Sequence, residues 1–148
     1  MTKPEIAVNY FKNGFNCSQA VFTSIAQDFG ISEDDCLRIG AAFGGGMARC
    51  QMTCGAVTGA LMAIGLKYGR ALNDNQEKKA ETYEKTLEFF SEFKKRNGSV
   101  NCKELLRGLD MNDPEDKKII EDLKLFQIAC NKYVMDAADI VQVIIENK

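Results

Sequence analysis

Residues 43–66, FGGGMARCQMTCGAVTGALMAIGL, constrain this chain more than any other stretch. Three consecutive glycines, Gly44, Gly45 and Gly46, break the backbone, and a small, apolar run carrying Cys50 and Cys54 follows. The segment CGAVTG reads as a packed helical turn with the Cys54 thiol at its head. Gly55, Ala56, Gly59, Ala60 and Ala63 recur three and four residues apart, a spacing that puts them on neighbouring faces of a helix. Glycine inside a helix costs about 1 kcal/mol relative to alanine, so their retention implies a close helix approach. The expectation is a fourth helix over about 47–68, stopped by Gly69, wrapped by the rest of the chain.

A membrane span is not expected, because the uncharged run 50–66 is shorter than the roughly 20 residues one needs. The N-terminal MTKPEIAVNYFKNG lacks the apolar stretch of a secretory signal, so a cytoplasmic location is expected. With a net charge of −2, the chain offers no basic face for nucleic acid. Its 148 residues suffice for one compact domain with a core.

Helix signals punctuate the whole length. Pro4 suits a first turn, Ile6, Ala7, Tyr10 and Phe11 fall at helical spacing, and Gly14 closes the element. Asn16 and Gln19 form a capping box that opens a second helix, with Val21, Phe22, Ile25, Ala26 and Phe29 as its stripe. Ser32 caps a third, whose first turn holds Glu33, Asp34 and Asp35. Asn73 or Asn75 opens a fifth with Tyr83, Leu87, Phe90 and Phe93 inward, ended by Asn97 and Gly98. Asn101 caps a short sixth helix, CKELL, with Glu104 placed for a second capping box. After a loop over 108–114, Ile119, Ile120, Leu123 and Phe126 share one side. The last helix carries Cys130, Val134, Ala137, Ala138, Val141, Ile144 and Ile145 on its stripe. No segment alternates as a strand would. The expected fold class is all-α: a single-domain bundle, 1–148, of about six or seven helices around the glycine- and alanine-rich one.

Histidine is absent, which removes Cys/His zinc sites, CxxCH haem attachment and histidine-activated nucleophiles. Six cysteines remain, and in a reducing compartment such thiols are metal ligands or redox groups more often than disulfides. Cys17 and Cys102 each follow an asparagine cap at a helix start, where free amides and the dipole lower a thiol's pKa. The plainer reading is two small buried residues. Cys54 allows a cofactor to approach, or serves a tight helix crossing as a small apolar residue. Cys130 lies on a core stripe and is either core or ligand. Cys50, one turn before Cys54, can share its face and is a further candidate ligand; Cys36, among Asp34, Asp35 and Arg38, reads as a bystander. The glycine triplet can present amides to a thiolate or cluster sulfur, or simply form a corner needing positive φ. Arg49 answers an anionic partner or lies at the surface. The carboxylates read as solvated surface, with no pair placed for acid/base work.

The order of NCSQAV, GGGM, CGAVTGALM, a cysteine after NGS and a cysteine near the last helix resembles the redox-active proteins of the C_GCAxxG_C_C type, from about Tyr10 to about Val143. The resemblance implies that the four signature cysteines are Cys17, Cys54, Cys102 and Cys130, with Gly55, Ala56 and Gly59 completing CGAxxG. Cys36 and Cys50 fall outside that pattern. It implies a redox or metal site without naming a substrate. A similar domain occurs in certain multihaem cytochromes with an iron–sulfur centre; without CxxCH the haems do not carry over, whereas the iron–sulfur expectation does.

Three functions remain open. The first is a four-thiolate metal site for electron transfer or sensing, with an iron–sulfur cluster expected ahead of zinc, since local CxxC knuckles are missing. Gly44, Gly45, Gly46, Gly55 and Gly59 would then stand around the cofactor. The second is thiol–disulfide chemistry without a cofactor, with a thiolate at Cys17 or Cys102 and Cys54 or Cys130 resolving it. The third is a non-enzymatic helical interaction module. A redox partner of unknown identity follows from the first two, and the face of Gly55 and Gly59 can serve either this domain or a homodimer.

Overall fold

Side chains that take up free backbone amides set where the helices begin. Thr2 and Glu5 form a capping box at the start of α1 (Lys3–Lys12), and Asn16 and Gln19 form the expected one at α2 (Cys17–Ala26). Ser32 caps α3 (Glu33–Gly40) through the Asp35 amide. The chain continues through α4 (Gly55–Tyr68), α5 (Glu77–Asn97), α6 (Cys102–Leu105), α7 (Pro114–Asp122) and α8 (Asn131–Glu146). This computed structural model describes residues 1–147; among them there are eight α-helices and no strand, so the fold is all-α.

The central element is α4, which is apolar on every side and therefore needs cover on every side. It packs against α2, α5 and α8. Gly59 makes the α2 contact possible: a Cβ there would stand 2.7 Å from the Ser18 carbonyl oxygen. The small-residue face around Gly55 and Gly59 is thus buried within the chain.

Three expectations fail in whole or in part. The fourth helix begins at Gly55 and not near Met47, because the backbone before it winds the other way. Gly45, Gly46, Met47, Ala48, Arg49 and Gln51 all have positive φ. Each non-glycine residue there costs roughly 1–2 kcal/mol. In α5 the expected face holds only in part: Phe93 is buried and Phe90 packs half-buried on the core, but Tyr83 and Leu87 are exposed, and Phe89 is fully buried and stacked 5.8 Å from Phe93. The cap at Asn101 forms, accepting from the Lys103 and Glu104 amides, but its reciprocal half does not; the Asn101 amide donates to Ser99 Oγ instead.

Two apolar cores result. The larger joins α1, α2, α4, α5 and α8 and includes Cys54, with Cys17 packed against it. The smaller holds Cys102, Leu106, Met111, Ile120 and Leu125, with Cys130 packed against it.

Candidate redox-thiol site

A cavity of about 500 Å³ takes part of its wall from each core, and Cys17, Cys54, Cys102 and Cys130 all line it. Each cysteine arrives on a different piece of backbone. Cys17 is the first residue of α2, and Cys102 is the first residue of α6. Cys54 is the residue that caps α4. Cys130 ends a single π-helical turn, Phe126–Cys130, that leads into α8. Such one-turn widenings re-aim a side chain and recur at functional sites. Nothing in the apolar pattern of the last helix signals it.

A short backbone bridge holds two of these segments together. Thr53 and Asn101 pair antiparallel, the Cys54 amide donates to the Val100 carbonyl at 2.8 Å, and the Cys102 amide donates to Met52 at 2.7 Å. The main chain itself therefore sets Cys54 beside Cys102. Gly55 admits the third thiol: a Cβ at that position would collide with the Cys17 sulfur.

The left-handed loop 44–52 forms one side of the cavity, through Gly44, Gly45, Ala48 and Arg49. Gln51, nearly buried, ties the loop down. Its Nε2 donates to the Leu109 carbonyl and its Oε1 accepts from the Met111 amide, both at 2.8 Å. Asn112 Nδ2 donates to the Arg49 carbonyl at 2.8 Å. Of the glycines expected at a cofactor, Gly44, Gly45 and Gly55 line the cavity, whereas Gly46 and Gly59 lie off its wall and serve packing.

The four thiols sense one another. Charge on Cys17 raises the pKa of Cys54, Cys102 and Cys130, and charge on Cys102 raises those of Cys54 and Cys130. Burial is the largest influence on every one, and it disfavours the thiolate. It lifts Cys102 and Cys130 to about 12 and Cys54 well above the ordinary thiol value. At Cys17 burial also raises the pKa, while the amides of Gly45, Ser18, Cys17 and Ala56 pull it down by less. The lowered pKa expected at helix starts is therefore overturned for Cys17 and Cys102: the amide effect has the expected sign, but desolvation exceeds it.

The other two cysteines stand apart. Cys36 is fully buried in the larger core, its thiol facing the Ile31 carbonyl at 3.7 Å. Cys50 is exposed, outside the cavity wall. The helix face it was expected to share with Cys54 does not exist, since Cys50 sits in the left-handed loop. All six cysteines are free thiols. Among the described residues, no three cysteine or carboxylate side chains converge to hold one metal ion, and no helix is long and apolar enough to cross a membrane.

Four free thiols from four helix ends, facing one apolar cavity in an all-helical fold, define a thiol-site protein. A family model described as "Putative redox-active protein (C_GCAxxG_C_C)" matches residues 15–144, and the chain belongs to that family. It is also similar to an uncharacterized protein of Archaeoglobus fulgidus, 27% identical over 110 residues that cover 70% of this chain and 73% of the relative. No solved structure matches it significantly.

Proposed function

We propose that Cys17, Cys54, Cys102 and Cys130 together hold an iron–sulfur cluster and that the protein transfers or senses electrons through it. The observation that carries this reading is the cavity itself, with all four thiols on its wall. Zinc requires its ligands about 2.3 Å from a single point, and no such convergence exists among the described residues. Four thiols spread around one volume, rather than converging on a point, would suit a multi-iron cluster. The donor set fits that demand: four soft thiolates, apolar walls, and the amides of Gly45 and Ala56 directed at the Cys17 sulfur. When bound, the cluster supplies a one-electron couple. The chain's residues hold it, exclude water from it and give up their thiol protons on loading.

The test is anaerobic reconstitution with iron and sulfide, followed by iron and sulfide analysis and absorption spectroscopy. The reading requires stoichiometric iron and a charge-transfer band that disappears when any of the four cysteines becomes serine. A chain that stays colourless, or one that takes up a single zinc ion and no iron, defeats it. A thiol–disulfide cycle ranks second, supported by the mutual proximity of Cys17, Cys54 and Cys102. The raised pKa values oppose it, since the attacking species is the thiolate. It predicts a thiol count that changes by two on oxidation and reduction without iron.

A further inference from the structure

The four cysteines leave one feature of the cavity unexplained. Arg49 lines it and is the one charged residue in its wall among the described residues. Arg49 is exposed, and its guanidinium has no acidic partner and no hydrogen bond among the described residues; the hydrogen bond the residue does make goes through its carbonyl. Of the other arginines, Arg38 pairs with Asp35 and Arg96 with Asp136 and Asp139, while Arg70 and Arg107, which form no ion pair among the described residues, lie away from the cavity wall.

Its placement is enforced. Arg49 has φ 65 inside the left-handed loop, a conformation that L residues adopt only when their surroundings compel them. Asn112 fastens the loop at the Arg49 carbonyl, and Gln51 fastens it two residues further on. Gly45 lets it pack in, since a Cβ at 45 would stand 3.0 Å from Arg49 Cα and from its Cγ. Of the loop residues that reach the cavity, Gly44, Gly45 and Ala48 offer only backbone and a methyl group; Arg49 offers the long polar side chain.

We propose that Arg49 is the recognition group for a small oxoanion, a carboxylate or phosphate-sized species, that enters the thiol cavity from the loop side. A guanidinium fork matches the paired oxygens of such an anion. No carboxylate in the wall repels it, and the Gly45 amide already directed at Cys17 carries positive character on the same side. Arg49 belongs to the loop and not to the four-thiol set, so anion binding is tested on the iron-free chain.

The experiment titrates the isotope-labelled full-length chain, without iron, with sodium phosphate and separately with sodium acetate, holding ionic strength constant with chloride. Nuclear magnetic resonance reads the Arg49 side-chain Nε–H and the amides of Gly44 and Gly45. A saturable shift of all three is expected in the wild type, and the anion affinity read from the Gly44 and Gly45 amides should weaken about tenfold or more in Arg49→Gln and be partly kept in Arg49→Lys. Both variants are at an exposed side chain, and unchanged amide dispersion elsewhere verifies that they fold. No saturable shift, or one that Arg49→Gln leaves intact, overturns the proposal. So does a wild-type chain that binds neither anion while Arg49→Gln changes the reduction potential of reconstituted protein, since the guanidinium would then answer the cluster's own charge. Failure to take up iron in the separate reconstitution leaves this result standing.

Discussion

The sulfur of Cys17 occupies the space that a side chain on Gly55 would need. Glycine at the first position of α4 is therefore a condition for three thiols, Cys17, Cys54 and Cys102, to face one another. Gly55→Ala must push α2 and α4 apart or turn Cys17 away. Overpacking of this kind costs about 1–3 kcal/mol. The denaturation midpoint should fall accordingly, and iron uptake should fall with it, whereas Gly65→Ala, inside the same helix with nothing near its Cβ, should stabilise by up to about 1 kcal/mol and leave iron uptake unchanged.

The cysteines should separate into two groups. Serine at Cys17, Cys54, Cys102 or Cys130 should each abolish stoichiometric iron loading. Cys50→Ser removes an exposed thiol from outside the cavity and should leave loading intact and stability within about 0.5 kcal/mol. Cys36→Ala should cost stability without touching the site, as its thiol is buried in the larger core. Metal analysis beside chemical denaturation distinguishes the two effects.

Gln51 stands between the strained loop and the 109–111 segment. Gln51→Ala leaves the Leu109 carbonyl and the Met111 amide without their partner. A buried polar group left unpaired costs about 1–3 kcal/mol. Stability should drop by an amount in that range, and alkylation of the cavity thiols by iodoacetamide should speed up as the loop comes loose, read by mass spectrometry of the modified peptides.

The pH dependence has a definite sign. Burial raises the cavity thiols above the ordinary value of 9.0, with Cys102 and Cys130 at about 12. Below the unfolded pKa both states are protonated and stability is unaffected. Above it the unfolded chain releases protons that the fold retains, so stability falls as pH rises from about 9 towards 12. Each retained proton contributes about 1.4 kcal/mol per pH unit across that window. The reduced, iron-free chain should therefore have a lower urea midpoint at about pH 10 than at about pH 8, and Cys130→Ala should flatten the slope. Iron loading should release protons into weakly buffered solution.

Short-range signals were the legible ones. Asn16 with Gln19, Ser32, and Asn97 with Gly98 announce their roles within three or four residues, and the structure keeps them. The all-α class and the central position of α4 were legible from its apolar composition. The loop before α4 was not, because Met47, Ala48 and Arg49 are ordinary helix formers that take positive φ only under tertiary constraint. The phase of α5 was ambiguous because LEFFSEF supports two stripes, and contact with α8 selects Phe89 and Phe93, the latter tilted against Tyr133. The acidity of the thiols was misjudged for a related reason: a cap can be read locally, but burial depends on residues that arrive from elsewhere.

The pairing of Thr53 with Asn101 has a bearing on synthesis. It waits until α5 has been translated, Cys102 follows at once, and the last sulfur belongs to a turn that leads into α8. Until that final helix docks, the earlier cysteines have no closed wall between them and oxidants. Closure of the cavity wall therefore requires α8, which brings Tyr133 to it.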